Sequence, residues 1–426
     1  MKKYYLILLI FSVLVALGCT RQTFTDKVAV EQDIRDNSID EREIKEKSES
    51  NENLVNPDNQ ENSSEAVPFS PPLPENNEEK VIRQYRESPE IPSEKESAGL
   101  PSCENAIFTV APVELGNVYD ITPLGNIGPP GHTFPTEHTH IHLTSGGSSS
   151  RLYDLFAPTD VYITSISRGI GYTQDPEDYT IYFALCKDVI GYYNHVKSLS
   201  PDMQKIFSSG NCRQNPGDNK YTYCENNLNF IKAGSVMGNV GRMQGNFDFG
   251  LIDIRKSNKF VNPSRYGIRS LHIQCPFEYY PMDMRNKFFD IIKRNDDEQC
   301  GTVMQDVPGS LQGNWFLGDA RADNGMDWDK HLAFVSDPLE PSFKIVSIGG
   351  TFTEAGEWKF KPIISGQTNR IFSDVKADEN IYCYEGMEQN GKVLVQMTSS
   401  NELKIERLDG RCSGNNAFRN PTLYSR

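Results

Sequence analysis

Residues 131–143 read GHTFPTEHTHIHL. The chain has 7 histidines, and His132, His138, His140 and His142 all fall in this stretch. Neutral imidazole is the commonest protein ligand for transition metals. His138, His140 and His142 alternate with single residues, and alternate side chains of a β-strand share a face. The spacing therefore predicts a strand that turns three imidazoles one way. Zinc takes nitrogen ligands readily. The expected site is zinc or a similar divalent ion on two or more of these three, with His132 and Asp154 as further ligands. The competing expectation is that the histidines are only the wet face of a strand.

Other chemistries find no motif. HExxH, the phosphate-binding P-loop and G-x-S-x-G are all absent from the sequence. The run GNVGRMQG lacks the strand-and-helix context of a dinucleotide site, and turn glycines account for it. No C-x-x-C pair occurs, which argues against a zinc ribbon or a redox dithiol.

The elements that must carry the histidines are mostly strands. VYITSIS, DYTIYFAL and IGYYNHV are rich in β-branched and aromatic residues and are separated by turn formers. A short helix is expected over residues 200–208, with Ser200 as its cap and Pro201 at its first position. A longer one is expected over residues 281–294, where Met284, Phe288, Ile291 and Ile292 form an apolar face. Residues 307–426 return to strands: HLAFVS, FKIVSIGG, WKFKPI, NIYCYE, KVLVQMT and LKIERL. Their spacing predicts a sandwich or barrel.

Three stretches also follow one another in a telling order. APTDVYITSISRGIG (157–171) precedes DYTIYFALCKDVIGYYNHVKSLS (178–200), which precedes AGSVMGNVGRMQGNFDFGLIDIR (233–255). This order resembles the lysostaphin-type zinc endopeptidases, which cut peptide cross-bridges in bacterial cell walls. Tyr193-Asn194-His195-Val196 is similar to that family's "Y-x-H-L" element, and residues 233–241 are similar to its "A-G-x-x-I-G-x-x-G" turn. The resemblance covers residues 124–255. It implies a compact antiparallel β fold, a zinc-bound water as nucleophile, and His195 as a catalytic residue if the site is active. It also implies an Asp ligand at Asp154, four residues before Pro158. Two departures stand against activity. Ser150 occupies the position of the family's first His, and Phe247-Asp248-Phe249 stands where the family has His-x-His. Phenylalanine neither binds zinc nor moves protons, and Asp248 points away from the face of both phenylalanines.

The fold class expected is mainly β. A lipoprotein signal peptide over 1–18 and a lipidated, disordered acidic tether over 19–102 precede a lysostaphin-like β domain over 103–275. A helical connector over 276–306 leads to a C-terminal β-sandwich or barrel over 307–426. Lys2 and Lys3, an apolar run and Ala16-Leu17-Gly18-Cys19 resemble a bacterial lipoprotein signal. That resemblance implies lipid on Cys19, export, and anchorage to the cell envelope through a membrane. Residues 20–102 carry 20 acidic and 10 basic side chains and few aromatics, too little apolar surface to offset chain entropy. The net charge of −15 argues against nucleic acid as a partner. Without Cys19, 8 cysteines remain, an even number suited to disulfides outside the cytosol. Local spacing suggests Cys212–Cys224, Cys275–Cys300 and Cys383–Cys412, which leaves Cys103–Cys186.

These residues leave three functions open. The first is an envelope protein whose degenerate peptidase-like domain binds peptidoglycan or glycan with little or no cleavage. The second is an active, divergent zinc endopeptidase. The third is a small apolar ligand held by the C-terminal β domain. The missing His-x-His favours the non-catalytic reading.

Overall fold

The computed structural model describes residues 92, 97–105, 107–170, 177–215, 218–294, 296–413 and 416–426. The signal peptide, Cys19 and almost all of the tether lie outside the described residues. Leu100 is buried, and the amide of Lys187 donates to the carbonyl of Pro101, so the folded part begins a few residues ahead of Cys103.

The chain is mainly β. Its first part runs through β1 (Val118–Thr122), β2 (Thr139–Leu143), β3 (Leu152–Phe156), β4 (Val161–Gly169), β5 (Asp178–Cys186), β6 (Val189–Val196) and β7 (Ser198–Leu199). Helix α1 (Pro201–Ser209) follows, then β8 (Asn211–Asn215), β9 (Asp218–Ile231), β10 (Val236–Gly241) and β11 (Asn246–Asp253). Helix α2 (Ile268–His272), β12 (Ile273–Gln274) and helix α3 (Met282–Phe289) complete it. The large sheet runs β1-β2-β11-β6-β5-β4-β9-β8, with β12 also on β11, and all its pairings are antiparallel. A three-stranded sheet, β3-β10-β7, lies apart from it.

The period-two pattern sets which face each residue of the large sheet takes. Ile141 and Leu143 of β2, Phe247, Phe249 and Leu251 of β11 and Tyr193 of β6 enter the main core. Tyr153, Leu155, Met237 and Val240 from the small sheet belong to the same core, as do Phe277 and Phe288. The opposite face carries Tyr192 and Ile252 and packs on Tyr266, Ile268, Phe316 and Ala320. The histidines of β2 lie on this second face.

Helix α1 forms as the sequence predicts: the Ser200 side chain accepts from the amide of Met203, and Pro201 opens the helix. Helix α3 is shorter than the apolar spacing suggests. Beyond Phe289 the backbone leaves it to pair with β1, with the Ile121 amide donating to Ile291 and the Lys293 amide to Ile121. Residues 276–306 therefore complete the first core as well as connecting two parts.

The C-terminal part contains β13 (Gly313–Phe316), β14 (His331–Ser336), β15 (Lys344–Ile348), β16 (Gly356–Phe360), β17 (Tyr382–Tyr384), β18 (Lys392–Ser399), β19 (Glu402–Leu408) and β20 (Thr422–Ser425). They form one sheet in the order β16-β15-β14-β13-β20-β19-β18-β17, curled into a nearly closed barrel. The Met387 amide donates to the Lys359 carbonyl across the remaining gap (2.9 Å). Trp315, Phe334, Trp358, Phe360, Phe372 and Tyr384 fill the interior. Six of these strands were expected; β13 and β20 are the two that bring the sheet round. Phe316 and Ala320 enter the core under the first part's sheet, and Phe134 packs on Phe316 with ring centroids 5.0 Å apart. The two β parts therefore share apolar packing.

Four disulfides join Cys103–Cys186, Cys212–Cys224, Cys275–Cys300 and Cys383–Cys412, the three pairs that local spacing suggests and the one left over. They point to an oxidising compartment. Among the described residues, no helix is long and apolar enough to cross a membrane.

One glycine matters directly for the histidines. Gly250 lies opposite Tyr192, and a Cβ there would meet the Tyr192 ring at 2.1 Å. The bare backbone lets that ring lie flat over β11, where its hydroxyl donates to the Glu137 carbonyl (2.8 Å), one residue before His138. Gly250→Ala should therefore destabilise the protein by about 1–3 kcal/mol through overpacking. Chemical denaturation against wild type measures this, and an unchanged midpoint would mean that the ring moves aside without cost.

Candidate metal centre

The site is assembled by strand register. Residue Asp248 of β11 pairs with His140 of β2 on one side and with Asn194 of β6 on the other. Phe247 and Phe249 go to the core, so alternation sends Asp248 to the second face, where the histidines stand. His138 and His140 present rings 4.8 Å apart between centroids. His132 arrives from the preceding loop, fixed by reciprocal backbone bonds with Gly128 (2.8 and 3.0 Å), and its ring centroid lies 5.7 Å from that of His138 and 6.0 Å from that of His140. His132, His138 and His140 each offer a nitrogen, all within 4.8 Å of one another. This buried triad could hold a metal ion.

His195 reaches the same place by breaking the strand pattern. Tyr193 points into the core, so regular alternation would send His195 there too. Its φ of +63° instead turns the ring to the histidine face. Nε2 then lies 3.3 Å from Asp248 Oδ2, and Nδ1 lies 2.8 Å from Asp178 Oδ2. Asp178 also accepts from the buried Lys197 ammonium (3.2 Å), which donates to Gln244 as well (2.9 Å).

Asp248 is the hub. Its Oδ2 accepts from Asn194 Nδ2 (3.1 Å) and lies 3.4 Å from His138 Nε2, while Oδ1 lies 3.9 Å from His140 Nε2. Burial by itself would raise its pKa; the imidazoles of His138, His195 and His140 outweigh burial and hold the carboxyl well below its usual range. Burial pushes His138 down to about 3 against the pull of Asp248, with small contributions from the neighbouring histidines. His140 is lowered too, chiefly by burial. His195 is raised, because Asp248 and Asp178 together outweigh its burial. The cluster thus pairs an ionised carboxylate with two neutral imidazoles, the protonation states that metal ligation requires.

The polar atoms left over support the same fit. Nδ1 of His138, Nδ1 of His140 and Oδ1 of Asp248 are sealed from solvent and have no hydrogen-bond partner. Buried polar atoms without partners are costly. Nitrogens bound tetrahedrally to zinc at 2.0–2.1 Å lie about 3.4 Å apart, so the triad, whose nitrogens lie within 4.8 Å of one another, would have to contract by up to about 1.4 Å.

Two expected ligands are placed elsewhere. His142 shares the face of His140, but its Nε2 is bonded to Thr122 Oγ1 (3.0 Å), with Asp120 at 3.9 Å. Asp154 stands on β3 in the separate small sheet and accepts from Asn239 Nδ2 (2.9 Å). Asp248 is the residue that sequence reasoning passed over. The alternation Phe-Asp-Phe already set it apart from the core, but only the pairing with β2 shows that its own face is the histidine face. His132 and His138 also line a cavity of about 390 Å³ whose other walls include Ser270 from the first part and Asn314, Trp328 and His331 from the second.

No protein-family model matches this chain, and no curated protein or solved structure matches it.

Protein freed of adventitious metal should take up about one equivalent of zinc or a similar divalent ion and melt at a higher temperature when loaded. His138→Ala and His140→Ala should lose both effects; Asp154→Ala should keep them. Protonated imidazole cannot ligate, so acid should release the metal, and burial, which lowers His138 and His140, should move that release below the ordinary histidine range. Metal analysis after equilibration at stepwise lower pH reads this. Complete release near pH 6.5, or equal uptake by the histidine variants, would contradict the assignment.

Proposed function

We propose that this is an exported envelope protein, anchored by lipid on Cys19, whose first β part holds zinc or a similar divalent ion on His132, His138 and His140 with Asp248 beside them. In this reading the site binds cell-wall material at the adjoining cavity with little or no cleavage. The observation that carries it is the convergence of three imidazoles, two of which, His132 and His138, line a cavity, and two of which, His138 and His140, have partnerless buried nitrogens. A divalent ion there would supply Lewis acidity toward a ligand's carbonyl or carboxylate oxygen.

The groups around the cluster suit holding charge better than moving protons. Both ring nitrogens of His195 face carboxylates, so His195 has no free nitrogen to act as a base. Asp248 is a weak base for the same reason that it is a good ligand: its neighbours hold it ionised. The active-peptidase reading is supported by one observation, that Asp248 brings a carboxylate to the site where Phe247 and Phe249 supply nothing. An apolar ligand inside the C-terminal barrel has less support, since aromatic side chains occupy that interior.

Zinc-loaded protein should sediment with purified, cross-linked cell walls, and His138→Ala should remain in the supernatant. The walls should release no new amino groups during the incubation. Release that depends on His138 would replace the binding reading with the peptidase one, and sedimentation independent of the metal would separate wall binding from the histidines. In cells, Cys19→Ala should move the protein from the membrane fraction to the soluble one.

A further inference from the structure

The 3-10 turn Gly325–Lys330 is fastened from beneath. The Asp327 carboxylate accepts from the Arg321 amide (3.1 Å), Asn324 Nδ2 (2.9 Å) and Lys330 Nζ (2.7 Å), and Asn324 Oδ1 accepts from the Met326 amide (3.2 Å). What this fastening holds up is apolar. Met326 is 83 % exposed and Trp328 is 48 % exposed. Ordering large side chains costs entropy, and here the fold recovers little burial in return. Of the two, Trp328 lines a cavity, where aromatic side chains commonly contribute to ligand binding.

Trp328 stands over the cavity that His132 and His138 reach. A Cβ at Gly131, next to His132, would lie 3.6 Å from the indole ring. Deeper in the same cavity is Asn314 of β13, 3 % exposed, whose Oδ1 has no hydrogen-bond partner. Oδ1 is sealed from solvent, so a ligand meets it only once the side-chain amide turns toward the cavity that the residue lines. Glu137 adds a carboxylate, with Oε1 taking the Ser270 hydroxyl (2.7 Å). The cavity therefore has an aromatic plate at its mouth and a carboxylate and a side-chain amide in its wall.

A ligand for this arrangement needs a C–H face that lies on an indole and hydroxyl or amide donors around its edge. A sugar ring has both. One common mode of peptide capture adds the backbone to an open strand edge, and β13 is paired along its length with β14 and at Phe316 with β20. We propose that the cavity between the two β parts is a saccharide site, with Trp328 as its stacking platform and the Glu137 carboxylate and Asn314 amide as the polar groups that select ring hydroxyl or acetamido groups. The proposal narrows the wall-binding reading to the glycan and rests on that reading for what lies at the cavity's histidine end. The saccharide contacts themselves use residues that are not metal ligands.

Tryptophan emission provides the test. The chain has 3 tryptophans, and Trp315 and Trp358 are 0 % and 4 % exposed, so ligand-induced change reports Trp328. Full-length protein is titrated with the N-acetylglucosamine tetramer and, separately, with a sugar-free wall peptide, with metal content measured in every sample. A saturable change in emission is expected with the oligosaccharide alone. Calorimetry should show Trp328→Ala binding it roughly tenfold more weakly or worse. Asn314→Ala should weaken it as well, with its melting curve checked because the residue is buried. No saturable response at concentrations on the order of 10 mM, an affinity too weak to count as recognition, would overturn the proposal. So would unchanged affinity in Trp328→Ala, or a response to the peptide alone, which would make this a peptide site. Oligosaccharide binding by metal-free protein would leave the proposal standing and count against the metal reading; metal uptake without oligosaccharide binding would do the reverse.

Discussion

A buried carboxylate in the middle of a sheet constrains everything around it. Asp248 is 2 % exposed, on a strand paired on both sides, and it cannot reach water. An ionised group in that position must be compensated locally. Asn194 donates to it, His195 is turned out of its regular strand direction to face it, and His138 and His140 stand against its two oxygens. The left-handed backbone at His195 and the two unpartnered imidazole nitrogens are local costs that an isolated sheet would avoid. They make sense as the preparation of a site. The same constraint separates the two faces: apolar residues of β11 fill the main core while the polar one is reserved for the other side.

That other side is where the second β part docks. Phe316 and Ala320 enter the core under Tyr182, Tyr192 and Ile252, and Phe134 stacks on His331, with ring centroids 4.1 Å apart. Phe134 lies two residues after His132, so this packing also fixes the loop that delivers the first imidazole. The cavity beside the cluster exists because the barrel stands off from the sheet at this point. Neither part alone would enclose it. The C-terminal barrel, filled with its own aromatic side chains, supplies one wall of that cavity.

Much of this was legible in the residues, and the reasons differ from element to element. Alternation placed His138, His140 and His142 on one face because strand geometry has a fixed period. Helix α1 was legible because Ser200 and Pro201 are chemically suited to its start; local spacing suggested three cysteine pairs, and Cys103–Cys186 was the pair left over. What stayed hidden depends on contacts between distant segments. The partnership of Asp248 with His140 is a matter of register between β11 and β2, which no local pattern encodes. His142 and Asp154 have suitable chemistry and spacing, but neighbours that only the fold supplies, Thr122 for one and Asn239 for the other, hold them elsewhere. The early end of α3 has the same origin, since a backbone pairing with β1 outweighs an apolar face.

The central claim is that His132, His138 and His140 converge on one ion. Anomalous diffraction from crystals of zinc-loaded protein tests it most directly. The account predicts a single strong peak about 2.0–2.2 Å from one nitrogen of each of the three rings, with Asp248 in or beside the coordination sphere. A peak at His142 and Asp120 instead, or density from zinc only at the surface, would contradict it.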